Sequence, residues 1–262
     1  MRAALRRRRE ATPVTNEHIV FAVIGFVAQL VDGALGMAFG VISTTALLSV
    51  GVAPAPASAI VHTAEIFTTG ASAASHLWHR NVDWRLVRHL GLAGVIGAVL
   101  GAWILSNIDA SAARPFVSFY LLIMGVYILY KATRISAVRD APAAWTAPTG
   151  FVAGFLDASG GGGWGPLTTS TLVGSGHAPR MAVGSVNTAE FFITIAAATT
   201  FFAELGASPV GELFALVIGG LLAAPFGGIM VKRISPRVLM FAVGALVILL
   251  AAWQLARAFK LV

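Results

Sequence analysis

Apolar residues run along this chain in blocks longer than a soluble core needs, and the polar residues that interrupt them fall in two matching places. Eight blocks can be drawn, at 18–50, 57–78, 85–106, 113–132, 146–175, 181–203, 211–231 and 236–257. Most reach the length of about 20 residues that a helix needs to cross a bilayer. The first and fifth are longer, and glycine clusters break them. The pattern predicts an all-α polytopic membrane protein of about eight transmembrane elements, with glycine-broken helices at 18–50 and 146–175.

Residues 25–73 repeat themselves at 150–198 without a gap, at a constant offset of 125 positions (150 − 25). GFVAQLVDGALGMAFG at 25–40 lies over GFVAGFLDASGGGGWG at 150–165, and HTAEIF at 62–67 over NTAEFF at 187–192. About twenty of the forty-nine aligned pairs are identical. A duplicated membrane unit with polar, glycine-broken segments in matching places is the mark of a transporter built from internal repeats. The chain therefore divides into a basic tail at 1–17, a first repeat at 18–133, a polar proline-containing linker at 134–145 and a second repeat at 146–262. With a one-residue shift the repeat extends to Gly94-x-x-Gly97-x-x-x-Gly101 over Gly220-x-x-Ala223-x-x-x-Gly227. Small residues at this spacing let membrane helices approach closely, so packing is the role expected of them.

Composition supports this class. The chain is 57% hydrophobic and 11% charged, where a soluble domain carries about a quarter charged residues. With no cysteine, disulfides, iron–sulfur clusters and thiolate metal sites are excluded. The net charge of +7 comes from short clusters at segment ends, Arg6 to Arg9, Arg80/Arg85/Arg88, Lys131/Arg134/Arg139, Lys232/Arg233/Arg237 and Arg257/Lys260. That placement marks membrane flanks rather than a nucleic-acid surface. The Arg-rich start resembles a secretory signal, but the apolar stretch behind it is too long for one and reads as a retained membrane segment. A cytoplasmic N-terminus and eight crossings put 79–88 and 131–140 inside, in keeping with their charge, and 232–237 outside, against it. Re-entry of a broken element would change the parity and allow inverted rather than parallel halves.

Four of the eleven acids, Asp32, Glu65, Asp157 and Glu190, lie inside apolar elements and form two repeat-related pairs. A carboxylate in the membrane interior is costly unless protonated, paired or hydrated, and usually faces a functional cavity. All eighteen Lys and Arg fall in termini or loops on this reading, so these acids are candidates for proton coupling or cation binding. The alternative is that each, protonated, donates a structural hydrogen bond to a neighbouring helix. His62 and Asn187 stand three residues before Glu65 and Glu190, on the same helix face, where they suit a substrate hydrogen bond or a proton relay.

The glycine clusters carry the other candidate chemistry. Gly160, Gly161, Gly162 and Gly163, and more mildly Gly36 and Gly40, break their helices, and Pro166 suits the first turn of a new one. Broken backbone in a membrane is tolerated where it faces protein or a wet cavity. The N–H groups and dipole of the second half-helix then make an anion site, joined by the hydroxyls of Ser43, Thr44, Thr168 and Thr169. The alternative role for the glycines is tight packing alone. No βαβ unit surrounds them, so a dinucleotide site is excluded. His76-x-x-His79 with His89 lacks an acidic ligand at useful spacing and reads as an interfacial feature. No metal and no cofactor are expected. Trp78, Trp84 and Trp145 read as interfacial anchors. The chain carries no Ser/His, Ser/Lys or H-E-x-x-H arrangement, so it does not read as an enzyme.

The glycine clusters, the twofold T-A-E motif and the four-plus-four plan resemble the TauE/SafE family of bacterial membrane permeases over nearly the whole chain. GFxxGFxDASGGGGWGP at 150–166 is the most specific of these motifs. The resemblance implies a multi-pass protein of the bacterial inner membrane that exports sulfite or another small sulfur-containing anion, with proton coupling. It points to Asp157, Gly160 to Gly165, Asn187 and Glu190, with Asp32, Gly36, Gly40, His62 and Glu65 as first-half counterparts. The partners expected are a small anion and membrane lipid, with homodimer formation open and no nucleic acid. GALGMAFG is less glycine-rich than its counterpart, which suggests one main anion cradle in the second half. A transporter whose acids bind a cation or proton directly is the competing reading.

Overall fold

The computed structural model describes residues 16–133, 145–206, 210–233 and 235–261, and shows ten helices there and no strand. The basic tail at 1–15 and the linker at 134–144 lie outside the described residues. The first repeat holds α1 (Asn16–Leu35), α2 (Phe39–Ser49), α3 (Pro54–Trp78), α4 (Trp84–Asn107) and α5 (Ala110–Thr133). The second holds α6 (Thr146–Gly160), α7 (Trp164–Gly174), α8 (Pro179–Leu205), α9 (Val210–Arg233) and α10 (Pro236–Ala258). Pro54, Pro179 and Pro236 occupy first turns, where the missing N–H costs nothing. Asp83 caps α4 by accepting from the N–H groups of Arg85 and Leu86. Four helices, α4, α5, α8 and α10, are long and apolar enough to cross a membrane by themselves. Large apolar side chains such as Leu92, Trp103, Phe116, Ile123, Phe192 and Leu249 are exposed on their flanks, as a lipid-facing belt requires.

The broken elements do not cross. Asn16, Glu17, Val20 and Phe21 at the start of α1 line one pocket with Val50–Val52 just past α2, so the chain enters and leaves on the same face. Trp145, Pro148, Thr149 and Val152 meet Leu167 and Thr171 in the same way. Each broken element is a re-entrant hairpin, α1–α2 or α6–α7, with its tip inside the protein.

Helix directions show how the halves are related. Equivalent helices run antiparallel: Ser118 of α5 meets Gln254 of α10, with Gly125 against Gly244, and Ser72 of α3 meets Asn187 of α8. The hairpins instead run parallel to a helix of the other repeat, Gly25 beside Leu216 and Gly150 beside Leu90. The repeats are therefore inverted, and each hairpin's long arm packs most extensively on the fourth helix of the other repeat. A Cβ on Gly154 would lie 2.3 Å from the Gly94 carbonyl oxygen, and one on Gly97 2.2 Å from that of Phe151, which confirms packing as their role.

Re-entry also corrects the expected topology. With six long helices and two hairpins, 79–83, Lys131 and the helix ends at Arg233 and Pro236 share one face, while Asn16, Val50–Val52, Asp109 and Arg257 share the other. The eight-crossing plan had placed 232–237 opposite 79–88 and the N-terminus beside it. Under the charge rule the Arg-rich tail and the loop clusters now argue for opposite orientations, so the tail no longer agrees with its neighbours in marking the cytoplasmic side. The chain has no cysteine, which makes single-cysteine labelling clean. Ser111→Cys and Ala178→Cys are expected to react with impermeant maleimide from opposite faces, with Val50→Cys on the side of Ser111→Cys. Labelling of Ser111→Cys and Ala178→Cys from one face would restore the eight-crossing plan.

Candidate functional site

The two hairpin tips share a backbone conformation at two of their three positions and differ at the middle one, where Gly162 has φ +139° and Met37 is not in the positive-φ region. Gly36 at φ +66° matches Gly161 at +78°, and Ala38 at +124° matches Gly163 at +140°. The milder cluster thus folds like the richer one by holding an alanine in a conformation suited to glycine, a strain of about 1–3 kcal/mol. At each tip the aspartate reaches across the turn. Asp32 Oδ1 accepts from the Phe39 N–H at 3.2 Å, and Asp157 Oδ1 accepts from the Trp164 N–H at 2.9 Å. Both second half-helices therefore begin with a carboxylate on one of their free N–H groups, favoured by the dipole.

The tips touch each other. A Cβ on Gly40 would lie 3.1 Å from Gly162 Cα and 3.0 Å from Glu65 Oε1, and one on Gly161 would lie 2.9 Å from Thr44 Oγ1. The meeting point gathers the four interior acids, with Glu65 in the electrostatic field of Asp157, Glu190 and Asp32. They form two dyads that the inverted symmetry exchanges, Glu65 with Asp157 and Glu190 with Asp32. Asp157 and Glu65 are buried, whereas Asp32 and Glu190 are half-buried. No Lys or Arg is buried among the described residues.

The dyads differ in their third member. His62 Nε2 lies 3.1 Å from Asp157 Oδ2, and its Nδ1 lies 2.8 Å from the Ser58 carbonyl oxygen. Ser58 Oγ donates to the Ala158 carbonyl oxygen at 2.9 Å. One face of α3 is thus fastened to the tip of the second hairpin. The equivalent Asn187 turns away and donates to Ser72 Oγ at 2.8 Å, and Val183 replaces Ser58. Side-chain nitrogen and oxygen atoms of His62, Glu65 and Asp157 lie within 4.8 Å of one another.

The hydroxyls expected near the anion divide. Thr168 Oγ1 donates to the Trp164 carbonyl oxygen within its own helix. Ser43 Oγ, Thr44 Oγ1 and Thr169 Oγ1 are buried without a partner among the described residues, as are Gln29 Oε1 and Glu65 Oε2. Thr44 and Thr169 are repeat-related, so a buried, unsatisfied hydroxyl recurs at each tip. The two surroundings are unequal. Val183 fills the space at Gly36, and Met37, which replaces Gly162, packs on Gly165. The polar cradle combines second-half glycines, Gly161 and Gly162, with first-half side chains, Thr44, His62 and Glu65. Gly160 and Gly163 face Tyr120 instead.

Three residues were missed from sequence. The Tyr120 hydroxyl donates to the Gly162 carbonyl oxygen at 2.7 Å, and its ring lies against the places where Cβ atoms on Gly160 and Gly163 would fall. Gln254 donates to the Thr45 carbonyl oxygen and Ser49 Oγ, tying α10 to the first hairpin. Gln29 carries one of the unpartnered oxygens. The available signal was a polar group inside an apolar element, weaker than a charge and, for all three, not repeated in the other half. His79 and His89 bond to carbonyls of their own helices at Ser75 and Arg85, and Trp78, Trp84 and Trp145 are exposed, in keeping with interfacial placement.

The family profile described as "Sulfite exporter TauE/SafE" matches residues 21–253. "Probable membrane transporter protein YtnM" of Bacillus subtilis (strain 168) is 44% identical over 243 residues, covering 89% of this chain and 81% of the relative. No solved structure matches the chain. With the match spanning its inverted repeats and both hairpins, the chain belongs to the TauE/SafE family and is a membrane transporter rather than an enzyme.

Proposed function

We propose that the protein exports a small sulfur-containing anion, sulfite or an organosulfonate, across the bacterial plasma membrane and couples this to protons. The substrate class draws on the family's description. The observation that carries the coupling is the gathering of four interior acids at the hairpin tips with no buried Lys or Arg among the described residues. An anion placed there meets repulsion of several kcal/mol from each ionised carboxylate nearby. It enters readily only when protons have neutralised the acids, so proton and anion load together. The anion is placed against Gly40, Gly161 and Gly162, where Thr44 Oγ1, and across the tips Thr169 Oγ1, supply hydroxyls that lack partners. Inverted repeats meeting at a closed centre suit alternating access, the halves rocking about this point while Glu65 and Glu190 change protonation.

Proteoliposomes test both parts of the reading. Labelled sulfite is expected to accumulate under an imposed pH gradient and to equilibrate without accumulating once the gradient is collapsed. Identical uptake in both conditions would overturn the coupling. Failure of sulfite and of a panel of sulfonates to enter at all would overturn the substrate class.

A further inference from the structure

The hydrogen-bond donors around His62 do not balance without one more proton. The Ser58 carbonyl 2.8 Å from Nδ1 can only accept, and Ser58 Oγ, 3.2 Å from the same nitrogen, spends its hydrogen on the Ala158 carbonyl, so Nδ1 carries the hydrogen. In the neutral ring that leaves Nε2 with a lone pair, aimed at Asp157 Oδ2 at 3.1 Å. An ionised carboxylate there would set lone pair against lone pair in a buried site. A single proton between the two atoms resolves it, either as imidazolium with carboxylate or as neutral imidazole with carboxylic acid. Asp157 Oδ1 is already occupied by the Trp164 N–H, so Oδ2 is the only oxygen of that acid left for this role.

We infer that the His62–Asp157 pair is the binding site of the coupling proton, and that this one proton latches the second hairpin to α3. The pair spans the two repeats, and His62 and Asp157 are buried. Losing the proton turns an attractive contact into a repulsive one and releases the tip that carries Gly161 and Gly162. Glu65, one turn along on the same face of α3, offers the unpartnered Oε2 that can take the proton next. The other groups facing the pair are Asp32 on α1, Glu190 on α8, the Tyr120 hydroxyl on α5 and the Phe201 ring on α8, 5.9 Å from the imidazole. None supplies a positive charge. The second dyad has no such latch, because Asn187 cannot bind a proton and is engaged with Ser72. One latching proton per cycle follows, held on one of two symmetry-related sites.

This inference rests on the transport reading only for what the proton drives, and two measurements separate them. Asp157→Asn keeps an acceptor for the Trp164 N–H and offers Nε2 a permanent donor, mimicking the latched state, while His62→Gln removes the imidazole ring. Both are expected to lower gradient-driven sulfite accumulation by about tenfold or more, within the ordinary range of coupling factors. The second measurement needs no substrate. Imidazole 15N NMR of the purified protein, with His62→Gln supplying the assignment, should show Nδ1 protonated and Nε2 hydrogen-bonded through a shared proton. Undiminished gradient-driven accumulation in both variants, or a His62 spectrum with an unprotonated Nδ1, overturns the inference. A shared proton in a protein that moves no sulfur anion leaves the latch standing and overturns the transport reading.

Discussion

Gly162→Ala is expected to abolish transport and lower thermal stability sharply, although it adds one methyl group. Gly162 has φ +139°, a backbone state that costs an L-residue about 1–3 kcal/mol. Its Cβ would lie 2.4 Å from the Val41 N and 2.6 Å from the Gly40 carbonyl carbon. These are backbone atoms of the opposing tip and cannot rotate away, so overpacking adds about 1–3 kcal/mol. Separation of the tips relieves the clash, and separation dismantles the cradle. Gly51→Ala is the matched control. Its φ is +104°, but nothing lies within 4 Å of the added Cβ, so the backbone strain remains without the clash. A melting curve and a sulfite flux assay on both variants check the pair. Intact flux in Gly162→Ala would show that the tips need not touch.

The second large effect is expected from Glu65→Gln. Glu65 Oε2 is buried with no hydrogen-bond partner, so the amide forfeits no bond to that atom, and the folded protein should melt no lower than wild type. Its gradient-driven accumulation of sulfite should nevertheless fall by about tenfold or more, on the scale of an ordinary coupling free energy, because the side chain can no longer receive a proton. Stability retained with function lost is the expected signature of a group kept for its chemistry rather than its packing. Glu190→Gln, half-buried and beside Asn187 rather than a histidine, should disturb coupling less. Unchanged accumulation in both variants would remove the glutamates from the proton route.

Much of the fold was legible because its signals are local. Hydrophobic block length, two glycine clusters and prolines at helix starts mark eight elements, and the structure keeps their bounds to within a few residues. Each break falls inside its predicted cluster, at 36–38 and 161–163. The acids were legible for the same reason, since a carboxylate in an apolar run stands out wherever it occurs. Their partners were not. Asp157 meets His62 across 95 positions and Ser58 bonds to Ala158 across 100, and no spacing rule connects residues so far apart. The sequence reading therefore grouped Asn187 and Glu190 with Gly160–Gly163 because they share a repeat. In the folded chain those glycines divide between Tyr120 and the cradle with Thr44, His62 and Glu65, which belong to the other repeat.

By itself, the sequence determined that this is a membrane protein, that it is duplicated, where its helices break and which costly groups it keeps in pairs. These follow from solvation, since apolar length and interior charge carry their free-energy consequences in any arrangement. Tertiary structure alone decided that the broken elements turn back, that the repeats are inverted and that one dyad closes around a histidine while the other stays half open. A glycine cluster permits a turn without fixing its angle, and the angle is set by what packs against each arm. The repeat is nearly symmetric in sequence, but His62, Ser58 and Gly162 against Asn187, Val183 and Met37 make its centre one-sided.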